Sequence, residues 1–392
     1  MNSSNKSIEY NTRIQQVALI TVFIGIILTF FLLICFIPKH EGELSPNERR
    51  KLAEAPDASF SNILNGGFSK EVDSWLEDHF PGRSFFVSLY SYLNRYTGRN
   101  VTESIIKGSG DRLFAAPVKL NEDVLVENGS RIKSFTENNS LKTTLAIIPS
   151  SGYILEGDLP KLHREYSDDL IIEGFANAAG ENAALLPVDD IFSYSMNAEG
   201  LYYRTDHHLT MEGSYLLYSS LSENLGFTPV AAEEFLSTAY EFYGTSYGSS
   251  GLMLTKPDRL EVWTLPGDEY VSVTTIDGAN RMEHMGMIDE TCLEEGVVDR
   301  YACYLYSNHG MTIVENPAVE DGTLLVLKDS YGNAIVPFLA HHYNKIIMID
   351  VRYYSSTLPT PSEIVSEYGI NDFLVIYGTD SVQTTSDLGW LR

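Results

Sequence analysis

The sequence predicts an α/β fold built on a mostly parallel sheet, and two observations carry that prediction. Near the C-terminus the apolar runs TLLVL (323–327), IIMID (346–350) and FLVIY (373–377) alternate with helical patterns over 333–342 and 361–368. Upstream, TTLAII (143–148) is followed by a helical pattern over 168–179 and a second apolar run at 184–188, again strand, helix, strand. Parallel strands need a crossover between them, and a helix is the usual one, so both halves read as βαβ units.

Taken in order, the chain begins with a short polar segment, 1–16, and then the run VALITVFIGIILTFFLLICFI at 17–37, which carries no charge. About 20 apolar residues suffice for a helix to cross about 30 Å of hydrocarbon. The run ends in Cys-Phe-Ile-Pro-Lys-His rather than at small residues of a cleavage site, so an uncleaved anchor in the lipid bilayer is expected. Lys6 and Arg13 precede it while Lys39, Arg49, Arg50 and Lys51 follow, so the charge rule alone does not favour export of what comes after.

Residues 38–100 read as a linker and a short helical region. Asp78-His79-Phe80-Pro81-Gly82-Arg83 marks a turn before the helical pattern SFFVSLYSYLNRY, and Arg83 is expected to fix that turn. The main domain is expected over 101–392. Within it, about 230–321 loses the strand–helix rhythm and reads as a β-rich insertion, with an alternating run at 270–276.

Composition narrows the function. The 53 acidic residues against 27 basic ones give a formal net charge of −26, and no basic face is evident, so nucleic acid is not an expected partner. Of three cysteines, Cys35 falls in the apolar run, and a Cys292–Cys303 disulfide is left open. No closely spaced Cys/His set or HExxH is present, so neither a metal nor a cofactor is expected.

Two segments carry chemistry. Asp329-Ser330-Tyr331-Gly332-Asn333 lies between the strand TLLVL and the next helix, at the edge of the sheet where α/β folds bind ligands. A serine there can be a nucleophile, with backbone N–H groups of Ser330 and Gly332 receiving an oxyanion; the same Asp-Ser also fits a helix N-cap. The second segment is Tyr203-Arg204-Thr205-Asp206-His207-His208. If it is extended, Asp206 and His208 share a face, His207 points away, and two adjacent histidines do not share an ion. A carboxylate beside an imidazole suits a general base, although a turn capping a helix over 211–224 explains the same residues.

At these residues the chain resembles a known family. YYRTDHHLTMEGSY is similar to the signature of the DHHW family, itself similar to the SGNH-hydrolase-like domains of alginate-type polysaccharide O-acetyltransferases. SPNERRKLAEAP, DHFPGR, LKDSYGNAIVPFL and IDVRYY agree with it. Leu209 departs from it, standing where the family name has Trp.

The resemblance implies a three-layer, circularly permuted SGNH-like domain and a triad of Asp206, His208 and Ser330. It implies a membrane-anchored, extracytoplasmic acetyltransferase acting on a cell-surface or exported polysaccharide, with acetyl groups supplied by a multi-pass membrane acyltransferase. Read from the residues themselves, Tyr331 and Asn333 fit either the lining of the site or a packed tyrosine and a helix-capping amide, and Arg352 fits either binding of an acyl or sugar group or a surface salt bridge. Two other functions fit the same residues, an acetylesterase with this triad and a non-catalytic polysaccharide-binding component of an export complex.

Overall fold

A computed structural model describes residues 2–45, 48, 50–384 and 387–391. The chain divides after Leu93 into two units, seven residues before the expected boundary at 100. In the first, a helix runs over Asn2–Phe36, and its Arg13–Phe36 stretch, mean hydropathy 3.0, is long and apolar enough to cross a membrane. Short helices follow at Phe60–Leu64, Gly67–Asp78 and from Arg83 onward.

The motif DHFPGR forms the turn between the last two of these. Asp78 ends one helix, Gly82 takes φ 72°, which glycine adopts without strain, and Arg83 opens the next. Arg50 forks onto the Asp78 carboxylate, which also accepts the Ala53 N–H at 2.8 Å, and Arg83 pairs with Glu48. Hydrogen bonding from Arg50 holds the Asp78 carboxyl below its usual range. SPNERRKLAEAP and DHFPGR are therefore joined by ion pairs, from Glu48 and Arg50 of the former; its residues 46, 47 and 49 lie outside the described residues.

In the second unit the strands are β1 (Ile105–Lys107), β2 (Leu113–Ala115), β3 (Lys142–Ile148), β4 (Ala183–Leu185), β5 (Leu236–Phe242), β6 (Asp258–Thr264), β7 (Ser272–Asp277), β8 (Asn280–Met285), β9 (Met311–Glu315), β10 (Thr323–Lys328), β11 (Lys345–Ile349) and β12 (Asp372–Gly378). Eight of them form one sheet in the order β4-β3-β12-β10-β11-β9-β7-β8. Pairings from β4 to β11 are parallel, and those from β11 through β9 and β7 to β8 are antiparallel. β1 pairs with β2, and β5 with β6, as separate antiparallel ribbons.

The central strands are apolar throughout because both faces are covered. In β10, Leu324 and Val326 join one core with Ile335 and Phe338 of the helix Gly332–Leu339. Leu325 and Leu327 join a second core with Ile132, Phe175 and Ile364 from three other helices. That alternation, dictated by the period of two along a strand, makes three layers with the sheet in the middle.

The segment expected as an insertion does not stand apart from the sheet. β7, β8 and β9 extend it, and only β5 and β6 form a ribbon of their own. The expectation missed this because the edge strand β8 is exposed along almost its whole length, and β7 and β9, though buried, carry threonines in place of the continuous apolar runs of the parallel strands. Two boundaries also shift: the run at 184–188 is a strand only over Ala183–Leu185, and the helix from Met211 ends at Ser220, with a short one at Ser222–Leu225. Cys292 and Cys303 are both free thiols.

Candidate active site

Ser330 stands in the turn between β10 and the helix Gly332–Leu339, at the carboxyl edge of the sheet. The turn is held from inside by the buried Asp329, whose carboxylate accepts the Tyr331 N–H at 2.9 Å and the Gly378 N–H at 2.7 Å. Its own N–H donates to the Ile376 carbonyl, so the turn is tied to the end of the neighbouring strand β12. Gly332 has a steric reason, since a Cβ there would stand 2.7 Å from Cβ of Lys328.

The second segment is a bent loop, closed by the Tyr203 N–H donating to the His208 carbonyl at 3.2 Å. The extended geometry expected for it is overturned. Asp206 Oδ1 accepts the His208 N–H at 2.9 Å, folding the chain back so that His207 does not point away: its ring lies 3.9 Å from that of His208, and its Nδ1 is 3.6 Å from Asp206. One donor atom from each of Asp206, His207 and His208 falls within 4.8 Å of the others, so the argument that adjacent histidines cannot converge does not hold for this loop.

The bent loop brings His208 between two partners. Nδ1 is 2.6 Å from Asp206 Oδ1, and Nε2 is 2.7 Å from Ser330 Oγ. Burial alone would push the Asp206 carboxyl up, but the two neighbouring histidines and the hydrogen bonds from His208 and the Thr245 N–H hold it well below the usual carboxylate range. An ionised Asp206 accepts only, so Nδ1 donates to it and Nε2 is left to accept from the serine hydroxyl. Such an arrangement can move a proton off Ser330 as its oxygen attacks a carbonyl.

Four residues in this framework carried no signal in the sequence. Thr245 donates to Asp206 Oδ2 from its N–H at 2.6 Å and its hydroxyl at 2.9 Å. Tyr301 stacks on the His208 ring at 3.9 Å and 15°. Asp258 accepts the Thr205 N–H and hydroxyl, each at 2.7 Å, and buried Arg112 donates to the carbonyls of Glu199, Tyr202 and Tyr203. Only Gly244 hinted at the close approach, because a Cβ there would meet Asp206 Cβ at 2.2 Å.

The other expected positions fare differently. Tyr331 packs against both histidine rings and donates its hydroxyl to the His207 carbonyl at 2.8 Å. The Gly332 N–H, expected to meet an oxyanion, donates to the Asp329 carbonyl at 3.2 Å. Asn333 is 2% exposed and bonds through its side chain to Lys328 and Asn308, in place of lining the site. Arg352, expected to bind an acyl or sugar group, forks onto Asp350, with bonds of 2.8 and 2.6 Å. Asp350 also faces Lys328, whose ammonium is brought down to about 8 by burial.

Solved structures share this fold. A DHHW family protein from Eubacterium siraeum is 20% identical with a TM-score of 0.61, over 73% of this chain and 93% of that one. PatB1 of Bacillus cereus, solved with a sulfonyl adduct, is 20% identical with a TM-score of 0.62, over 74% and 98%. The O-acetyltransferase domain of Pseudomonas putida AlgJ aligns more loosely, at 13% identity and a TM-score of 0.44, over 73% and 94%. No curated protein matches the sequence. Residues 188–349, the stretch within which Asp206, His208 and Ser330 fall, match the family model described as DHHW protein.

Proposed function

We propose that this protein is a membrane-tethered acetyltransferase, its second unit outside the cytoplasm, that acetylates a polysaccharide through Ser330, His208 and Asp206. The observation that carries the reading is the pair of hydrogen bonds at His208, 2.6 Å to Asp206 and 2.7 Å to Ser330. The likeness in fold to a DHHW family protein and to PatB1 supports it.

In the first step Ser330 Oγ attacks the acetyl carbonyl of the donor while its proton passes to His208 Nε2. The tetrahedral intermediate collapses, the donor's leaving group takes that proton, and an acetyl-serine remains. A sugar hydroxyl then gives its proton to Nε2 and attacks the acetyl-serine. Collapse of the second intermediate releases the acetylated sugar and returns the proton to Ser330. Asp206 stays ionised throughout and stabilises the imidazolium. A multi-pass membrane acyltransferase is the proposed source of acetyl groups, and tethering raises its effective concentration.

The test uses the full chain in detergent with p-nitrophenyl acetate as donor. Phenylmethylsulfonyl fluoride is expected to label Ser330, read by peptide mass spectrometry, and Ser330→Ala to abolish both labelling and p-nitrophenol release. Acetate found on an added oligosaccharide makes the enzyme a transferase; release unaffected by any acceptor makes it an acetylesterase using the same triad. Unchanged release in Ser330→Ala would remove the proposal.

A further inference from the structure

Beside the triad a cleft of about 180 Å³ opens at the carboxyl ends of three adjacent strands. Its lining includes Thr379 and Asp380 beyond β12, Tyr331 beyond β10, His207 of the bent loop, and Tyr166 and Asp168 across from them. Tyr331 and His207 both pack on the His208 ring, so the cleft adjoins the reacting groups. Ser330 is itself half-buried, within reach of solvent. The space suits one sugar ring.

The charge of the lining is one-sided. Asp168 and Asp380 are acidic, and no lysine or arginine is among the described lining residues. Asp168 is 2% exposed and accepts from the Ser150 N–H at 2.5 Å and the Thr379 hydroxyl at 2.8 Å. Asp380 is exposed, bonded at one oxygen to the Ser381 N–H. Burial pushes the Asp168 carboxyl upward, toward its neutral form, so the negative charge an acceptor meets in the cleft is chiefly that of Asp380. Lys328, the cation nearest in sequence to the Ser330 turn, and Arg352, which feels the charge of Asp329, are both paired with Asp350.

We propose that this cleft seats the acceptor sugar and selects against carboxylates, so that the substrate is a polysaccharide of neutral or amine-bearing rings and not a polyuronate such as alginate. This rests on the acyl-transfer reading and deepens it. A carboxylate seated beside Asp380 meets a like charge that an uncharged ring does not, which sets specificity by penalising the wrong acceptor. An uncharged ring loses nothing there, and its hydroxyls find acceptors in Asp380 and the backbone.

The experiment offers the full chain in detergent p-nitrophenyl acetate and three oligosaccharides of equal length: an N-acetylglucosamine oligomer, a glucosamine oligomer and a galacturonate oligomer. Acetyl transfer to each is read by mass spectrometry as kcat/KM. The galacturonate oligomer is expected to be slower than the other two by at least about tenfold. Asp380→Lys should reverse the ranking, and Ala115→Lys, on the exposed opposite wall of the cleft, should narrow the gap should Asp380→Lys fail to fold.

Equal transfer to galacturonate by the natural protein overturns the proposal, as does a ranking that neither lysine moves. If no acceptor is acetylated while Ser330-dependent hydrolysis continues, the cleft is not an acceptor site although the triad stands. Hydrolysis that survives Ser330→Ala overturns the acyl-transfer reading itself.

Discussion

The chain contains two His-His pairs, and the contrast between them shows what makes a histidine usable for chemistry. His207-His208 sits in a polar loop where a buried carboxylate holds one ring nitrogen of His208 and a serine hydroxyl faces the other. His341-His342 lies just past the C-terminal end of the helix that begins beside Ser330. There the His342 ring is stacked on Phe227 at 4.3 Å, with its Nε2 2.6 Å from the Tyr218 hydroxyl. Burial pushes both of these imidazoles down to about 4, with the charge of His341 adding to the effect at His342. The dipeptide is the same; what separates the two is that one ring, His208, has a carboxylate at one nitrogen and a serine hydroxyl at the other, whereas in the second pair Asp268 lies 3.7 Å from His341 and the Tyr218 hydroxyl meets His342.

The largest expected effects break the first pair. Ser330→Ala and His208→Ala should each lower kcat for p-nitrophenyl acetate by about 10³-fold or more while leaving the melting temperature nearly unchanged. Asp206→Asn should cost about 10²–10⁴-fold, since the amide no longer enforces the tautomer. Equivalent changes at His341 and His342 should leave kcat within about twofold, and a large loss there would end the contrast.

Smaller effects sharpen it. Thr245→Val removes the hydroxyl that donates to Asp206 Oδ2 but keeps the N–H, so kcat/KM should fall about tenfold. Tyr301→Leu removes the ring stacked on His208, and a loss of about three- to tenfold in kcat is expected, with Tyr301→Phe restoring most of it. Equal loss in the Phe variant would assign the effect to the hydroxyl and not to the stack.

The smallest effect is on stability against pH. His341 and His342 titrate near 6.5 when unfolded and near 4 when folded, so between those values the unfolded chain binds more protons. Their contribution is complete above about pH 6.5 and is lost as pH falls toward 4. Asp268, raised to about 6 by burial, acts in the opposite sense between its ordinary 3.8 and 6. The double variant His341→Gln with His342→Gln should therefore flatten the acid limb of the melting-temperature profile. An unchanged slope would place the acid sensitivity elsewhere.

What could be read from the sequence follows from the range of the forces involved. The parallel strands and their helices were legible because burial on both faces leaves continuous apolar runs. The helix Pro361–Tyr368 has the bounds expected from the strand–helix alternation, and in the structure Thr360 and Glu363 close a capping box at its start, with a proline in the first turn. β8 was not legible, because its side chains are exposed along almost its whole length and carry no apolar pattern. Asp206, His208 and Ser330 could be named because their types are rare in that combination, and the family resemblance joined them.

The sequence by itself determined the apolar N-terminal helix, the strand–helix rhythm of the central sheet and the three residues at the centre of the candidate site. Each is a local pattern, set by burial or by residue chemistry over a few positions. Only the tertiary structure decided that the histidine loop bends, that Thr245 and Tyr301 frame it, that the Gly332 N–H is already donated, and that an acid-lined cleft opens alongside. His208 and Ser330 are 122 residues apart in sequence. Their meeting, and the company they keep, depend on how the strands are ordered in the sheet, which no local pattern encodes.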